Sequence, residues 1–231
     1  MKISLIHPSR GRPEKAKATY DYWMSKISGK HEIEHILSLD FSDPLNEMYG
    51  VVKIDVNGIA EDKYIGFGAN SKTIIDRNIS VVDATNEAAK LSTGNILIYM
   101  SDDFKCPDNW DELIAFSFNY GQVETPMLLK VDDCLQKFDI RVLTIPIMNR
   151  ALYKTLGYFW HHEYRSMFVD QHLYEICAKN YWLAFAPALK FPHEHPCNGK
   201  AEDDETYQRS AANWNQGKEL FAKHQLEGFP L

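Results

Sequence analysis

An α/β domain built on a mostly parallel central sheet is the fold class this sequence predicts, and three observations predict it. Strand-like and helix-like segments alternate over the first hundred residues. Residues 95–100 form a nearly continuous apolar run, the kind buried on both faces of an α/β sheet. Ser101-Asp102-Asp103 follows at once, and open α/β sheets bind ligands beyond the carboxyl ends of their strands.

The elements read in order as follows. Residues 2–7 are a short strand ended by Pro8. Pro13 opens a helix in which Ala16, Tyr20, Trp23 and Ile27 recur at three- and four-residue spacing, with Gly29 as its stop. Residues 32–39 and 51–56 are the second and third strands, and Asp40-Phe41-Ser42-Asp43-Pro44 is a turn. Ser80 with Asp83 makes a capping box, and the helix it starts runs to Gly94 before the buried strand. The second half predicts a helix over 108–120 and strands around 127–131 and 140–147. A short helix then runs from its Asn149 cap to Gly157, and another begins at Asp170. After Phe191 comes a polar tail with one helix over about 204–224. The whole reads as one domain over 1–231, with a nucleotide-type half (1–104) and an acceptor-type half (105–231) that carries the tail.

Composition narrows the function. The chain has 231 residues, 45% hydrophobic and 25% charged, with a net charge of −7. That excludes a disordered, collagenous or coiled-coil chain and allows a substantial core. No apolar run approaches the roughly 18 residues of a membrane helix, so no membrane partner is expected. Residues 1–6 read as a strand rather than a signal peptide. Cys106, Cys134, Cys177 and Cys197 form no C-x-x-C pair, so reduced thiols in a cytoplasm are expected. The acidic balance opposes broad binding to a phosphate backbone but permits a local basic groove.

Four places carry candidate chemistry. Asp102 and Asp103 are adjacent carboxylates that need a cation or donors, and their oxygens suit Mg²⁺ or Mn²⁺; a turn capping the Trp110 helix explains them equally well. His193-Glu194-His195-Pro196 puts two imidazoles on one side of an extended segment, as metal ligands or as surface residues. Ser9-Arg10-Gly11-Arg12-Pro13 offers backbone donors, a helix start and two guanidinium groups to a phosphate, or merely a charged cap. It is neither a G-x-G-x-x-G fingerprint nor a Walker A loop. Asp170 reads as an N-cap, a location that also suits a general base. Just upstream, residues 158–164 are dense in aromatics fit for stacking on a sugar or base, or for core.

Taken together these positions resemble the GT-A fold of nucleotide-diphospho-sugar glycosyltransferases, family 2-like members above all. The strongest block is the helix from Asp83 through Asn86 to Gly94, the strand that follows, and Ser101-Asp102-Asp103-Phe104 in the place of the D-x-D motif. The resemblance implies a single GT-A domain with a mixed, mostly parallel sheet flanked by helices. It implies nucleotide-sugar contacts at Pro8, Ser9, Arg10, Arg12, Asp40, Asn86 and Asp102, with Asp40 on the base and Asp102 on the ribose. Asp103 would hold Mn²⁺ or Mg²⁺, joined by His195 and, less favoured, His193. Asp170 matches the base of inverting members, and UDP is the donor nucleotide by family habit. Ser101 stands where the motif has its first aspartate. The run from His195 to Tyr207 is similar to small glycosyltransferase-like proteins of tailed phages, which would place the protein in a host cytoplasm. The acceptor is then a glycan, a small molecule or a hydroxymethylated DNA base, the last requiring a basic groove near Arg141, Arg150, Lys154 and Arg165. The alternatives are a GT-A module without catalysis that binds a glycan or nucleotide, and a nucleotidyltransferase, which would need a glycine-rich first loop where this chain has only Gly11.

Overall fold

The computed structural model describes residues 1–56, 59–64, 66–118 and 124–230. In chain order the elements are β1 (Lys2–Ser9), α1 (Pro13–Ser25), β2 (Glu32–Asp40), β3 (Val51–Val56), β4 (Ile59–Tyr64), β5 (Ser71–Asp76), α2 (Val81–Leu91) and β6 (Ile96–Tyr99). They continue with α3 (Trp110–Ser117), β7 (Leu128–Asp132), β8 (Ile147–Asn149), α4 (Arg150–Leu156), α5 (Val169–Lys179), β9 (Leu183–Lys190), α6 (Glu205–Ala211) and α7 (Trp214–Leu226). Seven strands form one sheet in the order β5-β2-β1-β6-β8-β7-β9. All neighbours are parallel except β8, which runs antiparallel to both β6 and β7. The sheet is therefore mixed and α/β, and it crosses both halves of the chain.

Both faces of the sheet are covered, which is why its central strands read as apolar runs. β6 turns Ile96 and Ile98 toward α1 and α3, where they meet Trp23, Trp110 and Ile114. It turns Leu97 the other way, toward Val82 and Ala88 of α2, Leu152 of α4 and Ile176 of α5. All three β6 residues are fully buried, and each contributes about 1.5–3 kcal/mol through the hydrophobic effect. The indoles of Trp23 and Trp110 lie 5.2 Å apart. Each N–H donates to a backbone carbonyl, Trp23 to Phe104 and Trp110 to Trp23. Gly94 is required at the entry to β6, because a Cβ there would lie 2.4 Å from the Ser4 hydroxyl and 2.8 Å from its backbone nitrogen.

Local signals formed as expected. Ser80 accepts from Asp83 N–H at 3.1 Å to start α2. Asn149 accepts from Leu152 N–H at 2.9 Å to start α4, which ends at Gly157 with φ +77°. Several boundaries differ. β1 runs on through Pro8, tolerated because its neighbour β6 pairs only as far as Ile6 and leaves that side without a ladder. Residues 51–56 do form a strand, but it pairs with β4 in a separate two-stranded sheet. Of the expected 140–147 strand only Ile147 joins the sheet, as the first residue of β8. The helix expected to reach Tyr120 runs to Ser117, and Tyr120 lies outside the described residues. Two helices occupy the tail instead of one, because Ala212 and Asn213 separate α6 from α7. β4, β5 and β9 have no counterpart among the elements expected from the sequence. No helix among the described residues is long and apolar enough to cross a membrane.

Candidate active site

A cleft of about 410 Å³ opens beyond the carboxyl ends of β1, β2 and β6. The ends of these strands deliver Pro8, Ser9, Arg10, Arg12, Asp40, Asp102 and Asp103 to its wall, so seven of the expected site residues share one cavity. The rest of the lining includes the start of α2 and Arg165, Tyr207 and Arg209. Such a volume accommodates a ligand of cofactor size.

Asp102 is buried and held on both oxygens. His7 Nε2 lies 2.7 Å from one, and the Ser9 hydroxyl donates to the other at 2.9 Å. Its backbone carbonyl accepts from Thr19 at 2.8 Å, which ties α1 to the site. Behind it runs a buried chain: His7 Nδ1 meets His35 Nε2 at 2.9 Å, and His35 Nδ1 meets the Ser71 hydroxyl at 2.7 Å. Burial and the neighbouring His7 push the His35 pKa well below its usual value, so that ring is neutral. A carboxylate only accepts, hence His7 donates from Nε2 to Asp102. Sequence reasoning missed His7 and His35, which lie inside apolar strands. Their one signal is that a histidine fully buried in a central strand requires a polar partner.

Asp103 has a different character. One oxygen takes the Tyr207 hydroxyl at 2.8 Å and lies 3.1 Å from His193 Nε2. The other oxygen, Oδ1, is buried with no hydrogen-bond partner, as is His193 Nδ1. Burial opposes ionisation of Asp103, yet hydrogen bonding and charge from His193, with bonds from Ser101 and Tyr207, outweigh it and hold the carboxyl well below the ordinary range. The backbone brings these residues together across 90 positions. After β9 the chain crosses the end of β7 through His193 N–H to Asp133 O, then reaches β6 through Glu194 N–H to Asp103 O. The His195 ring packs on His193 and Tyr207 at 5.0 and 4.8 Å, while its Nδ1 caps a short 3₁₀ turn by accepting from Cys197 N–H. An ionised carboxylate with an unsatisfied buried oxygen, beside an imidazole, fits a divalent cation whose remaining ligands come from water and substrate.

The two arginines are already paired. Arg10 donates to Asp40 and, at 2.9 Å, to Ser42; Asp40 also accepts from Ser42 N–H at 2.8 Å. Both oxygens of the expected base-binding carboxylate are thus engaged. Arg12 is buried, forks onto Asp204 at the start of α6, and lies 4.2 Å over the Tyr207 ring. Asp204 and Tyr207 were not expected as site residues, and nothing local to them signals a contact 192 positions away.

Asn86 and Asp170 are not among the cleft residues. The Asn86 amide accepts from Phe159 and Trp160 N–H at 3.0 and 2.9 Å and donates to Trp160 O at 2.8 Å, so all its contacts there clamp the aromatic loop to α2. Asp170 is the second residue of α5; Phe168, at φ +69°, occupies the cap position instead. The Asp170 carboxyl is partly buried. Desolvation pushes its pKa up to about 6, against the pull of the N–H groups of Gln171, Asp170 and Leu143 and the charge of Lys130. It lies toward the carboxyl end of β7, since the neighbouring Thr144 donates to Asp133 at 2.6 Å. The four basic residues do not share one groove. Arg165 lines the cleft, whereas Arg150 bonds Gly94 O and Ser92 at the opposite edge of the sheet, and Arg141 pairs with Glu175.

No protein-family model matches the chain, and no curated protein matches it in sequence. Solved structures do match in fold. TarS 1–349 of S. aureus in complex with UDP-GlcNAc is 14% identical, with a TM-score of 0.59 over 91% of this chain and 64% of that one. The mannosyltransferase PcManGT of Pyrobaculum calidifontis, in complex with GDP-Man and Mn²⁺, is 12% identical, with a TM-score of 0.60 over 86% of this chain and 58% of that one. A mutant Drosophila galactosyltransferase 7 complexed with manganese, UDP-Gal and xylobiose is 9% identical, with a TM-score of 0.52 over 90% and 79%. The chain spans about three fifths of the length of the TarS 1–349 and mannosyltransferase chains, and 36% of the longer TarS chain. At these identities the likeness is one of architecture, and the architecture is the GT-A fold of nucleotide-sugar glycosyltransferases.

Proposed function

We propose that this protein is a glycosyltransferase that moves a sugar from a nucleoside-diphosphate donor to an acceptor hydroxyl. The observation that carries this is the cleft itself. Pro8, Ser9, Arg10, Arg12, Asp40, Asp102 and Asp103 meet at the carboxyl edge of a GT-A sheet, and structures of the same fold hold UDP, UDP-GlcNAc and GDP-Man. UDP is the proposed donor nucleotide.

In this reading Asp102, fixed by His7 and Ser9, binds the donor ribose, and Asp40 releases Arg10 to meet the base. Arg10 then turns to the diphosphate, a task suited to its planar fork. Asp103 and His193 would hold Mn²⁺ or Mg²⁺, with His195 beside them. When bound, the cation neutralises charge on the departing nucleoside diphosphate. The acceptor oxygen attacks the anomeric carbon from the face opposite the diphosphate. As the new C–O bond forms and the bond to the diphosphate breaks, the acceptor proton passes to the Asp170 carboxylate, with inversion; because Asp170 does not line the donor cleft, the acceptor must reach it from the side of Leu143. A pKa of about 6 leaves that group mostly ionised at neutral pH yet basic enough to accept a proton. Asn86 holds Trp160, whose ring packs on the cleft residue Tyr99 at 5.8 Å. The acceptor is a glycan or small molecule; the dispersal of Arg141, Arg150 and Arg165 gives no basic track for DNA.

Incubation with a panel of UDP- and GDP-sugars and Mn²⁺ tests the reading. Nucleoside diphosphate is expected to appear, slowly with water and faster once a matching acceptor is added. Binding of donor with no release under any acceptor would favour an inert module, the reading that Ser101 in the first motif position supports.

A further inference from the structure

A second cluster lies away from the cleft. His161 in the loop after α4, His172 of α5 and His224 of α7 converge so that one ligand nitrogen from each lies within 4.8 Å of the other two. Their ring centroids are 4.7 to 4.8 Å apart, and none of the three lines the cleft. His172 is 1% exposed and His224 2%, and His172 Nε2 is buried with no hydrogen-bond partner.

The hydrogen bonding of the cluster suits a metal. His161 Nδ1 accepts from Glu163 N–H at 3.4 Å and His224 Nδ1 lies 3.3 Å from the Tyr164 hydroxyl, both long contacts, and His172 Nε2 has no partner at all. His224 Nε2 lies 3.0 Å from Glu163 Oε2. An ionised carboxylate only accepts, so His224 donates from Nε2 and leaves its lone pair on Nδ1. A carboxylate fixing the outer N–H of a histidine is the usual support of a metal-ligating ring. Without a cation, His172 Nε2 stays buried with no partner, which is costly.

We propose that His161, His172 and His224 form a zinc site, with Glu163 orienting His224 and water completing a tetrahedral shell. Zn–N bonds of about 2.0–2.1 Å put tetrahedral donors about 3.4 Å apart, so the rings close by no more than about 1.5 Å. The ion is structural. It links the loop, α5 and α7, and α7 packs so tightly on the preceding segment that a Cβ at Gly217 would lie 2.3 Å from Met167 O. Arg209, Ser210 and Asn213, just before α7, line the cleft, so the ion braces a cleft wall from behind.

The test uses the full chain, freed of metal by a chelator and dialysed. Zn²⁺ is then titrated in competition with a chromophoric chelator and Tm is followed. One equivalent of zinc and a rise in Tm are expected, and Co²⁺ in its place should give the intense visible absorption of a tetrahedral site. His161→Gln, at a partly exposed ring, and His172→Gln should abolish both responses, with folding checked by circular dichroism. Glu163→Gln should weaken zinc about 10–100-fold. Asp103→Asn and His162→Gln should leave zinc affinity unchanged, which separates this site from the donor cleft. Absence of stoichiometric zinc in the unmodified chain, or unchanged affinity in His161→Gln, overturns the proposal. So does loss of zinc in Asp103→Asn.

Discussion

The same strands carry a buried carboxylate cluster at each end, and the two ends are built to different rules. At the amino edge Glu34, 3% exposed, is saturated. It accepts from Ser4 at 2.7 Å, from Thr93 N–H at 2.7 Å, from the Thr93 hydroxyl at 3.0 Å and from Lys72 at 3.2 Å, with Lys2 at 3.3 Å. At the carboxyl edge Asp103, 9% exposed, keeps one buried oxygen without a partner. Glu34 joins β1, β2 and the turn into β6 into one piece. Asp103 leaves one acceptor unused, as the proposed cation site requires. The contrast shows how buried acids that serve the fold differ from those that serve a ligand: the first have every lone pair used.

Substitutions at the two edges should therefore separate. The largest effect is expected at the carboxyl edge, where Asp170→Asn should reduce transfer about 10²–10⁴-fold. Donor affinity, measured by calorimetry, should stay within a few-fold, and normal turnover would remove Asp170 from the mechanism. Unmodified protein should lose kcat/KM about tenfold per pH unit below about 6, as the base is protonated. Because the folded-state pKa of Asp170 is raised, its contribution to stability is greatest at low pH and declines as pH rises from 3.8 through 6. Asp170→Asn should accordingly gain about 1–3 kcal/mol at pH 7.

Asp103→Asn comes next, with transfer down roughly 10²–10³-fold and stability changed by less than about 2 kcal/mol. Glu34→Gln should do the reverse, costing about 3–4 kcal/mol in urea unfolding while the folded fraction keeps its turnover. Burial alone would raise the Glu34 pKa, but bonds from Thr93, Ser4 and Lys72 bring it down to about 2. Its contribution of about 3 kcal/mol is fully present above the unfolded value near 4.5 and is lost as pH falls toward 2. Asn86→Ala should cost about 2 kcal/mol through the freed backbone groups of the aromatic loop, with donor affinity unchanged. Ser80→Ala, a simple cap loss, is the smallest effect at about 1 kcal/mol.

How much of this was legible in the sequence follows from the range of each signal. The Ser80 capping box, the Asn149 cap with Gly157, and the apolar β6 run are complete within a few residues, and each formed where its pattern predicts. β9 escaped because Pro187 interrupts the apolar run Leu183–Leu189, and a proline inside a run argues against a strand. β5 is an edge strand with three polar residues at its start. Asp170 gave way at the cap because Phe168 adopts a left-handed conformation there, which its residue type does not advertise. In the site, the clustering of Ser9, Asp40 and Asp102 follows from their shared place at strand ends. The contacts of Asp103 with His193 and Tyr207, and of Arg12 with Asp204, depend on how the last quarter of the chain packs and have no local trace.

The fork from Arg12 to Asp204 also sets an order in time. Translation runs at about 5–20 residues per second and domains form from the amino end, so β1 and its arginine emerge about 10–40 s before the helix that clasps them. Until then Arg12 lacks its carboxylate, Asp103 lacks Tyr207 and His193, and the cleft lacks a wall. A growing chain thus carries a folded amino edge, stapled by Glu34, long before the cleft has the wall that α6 supplies.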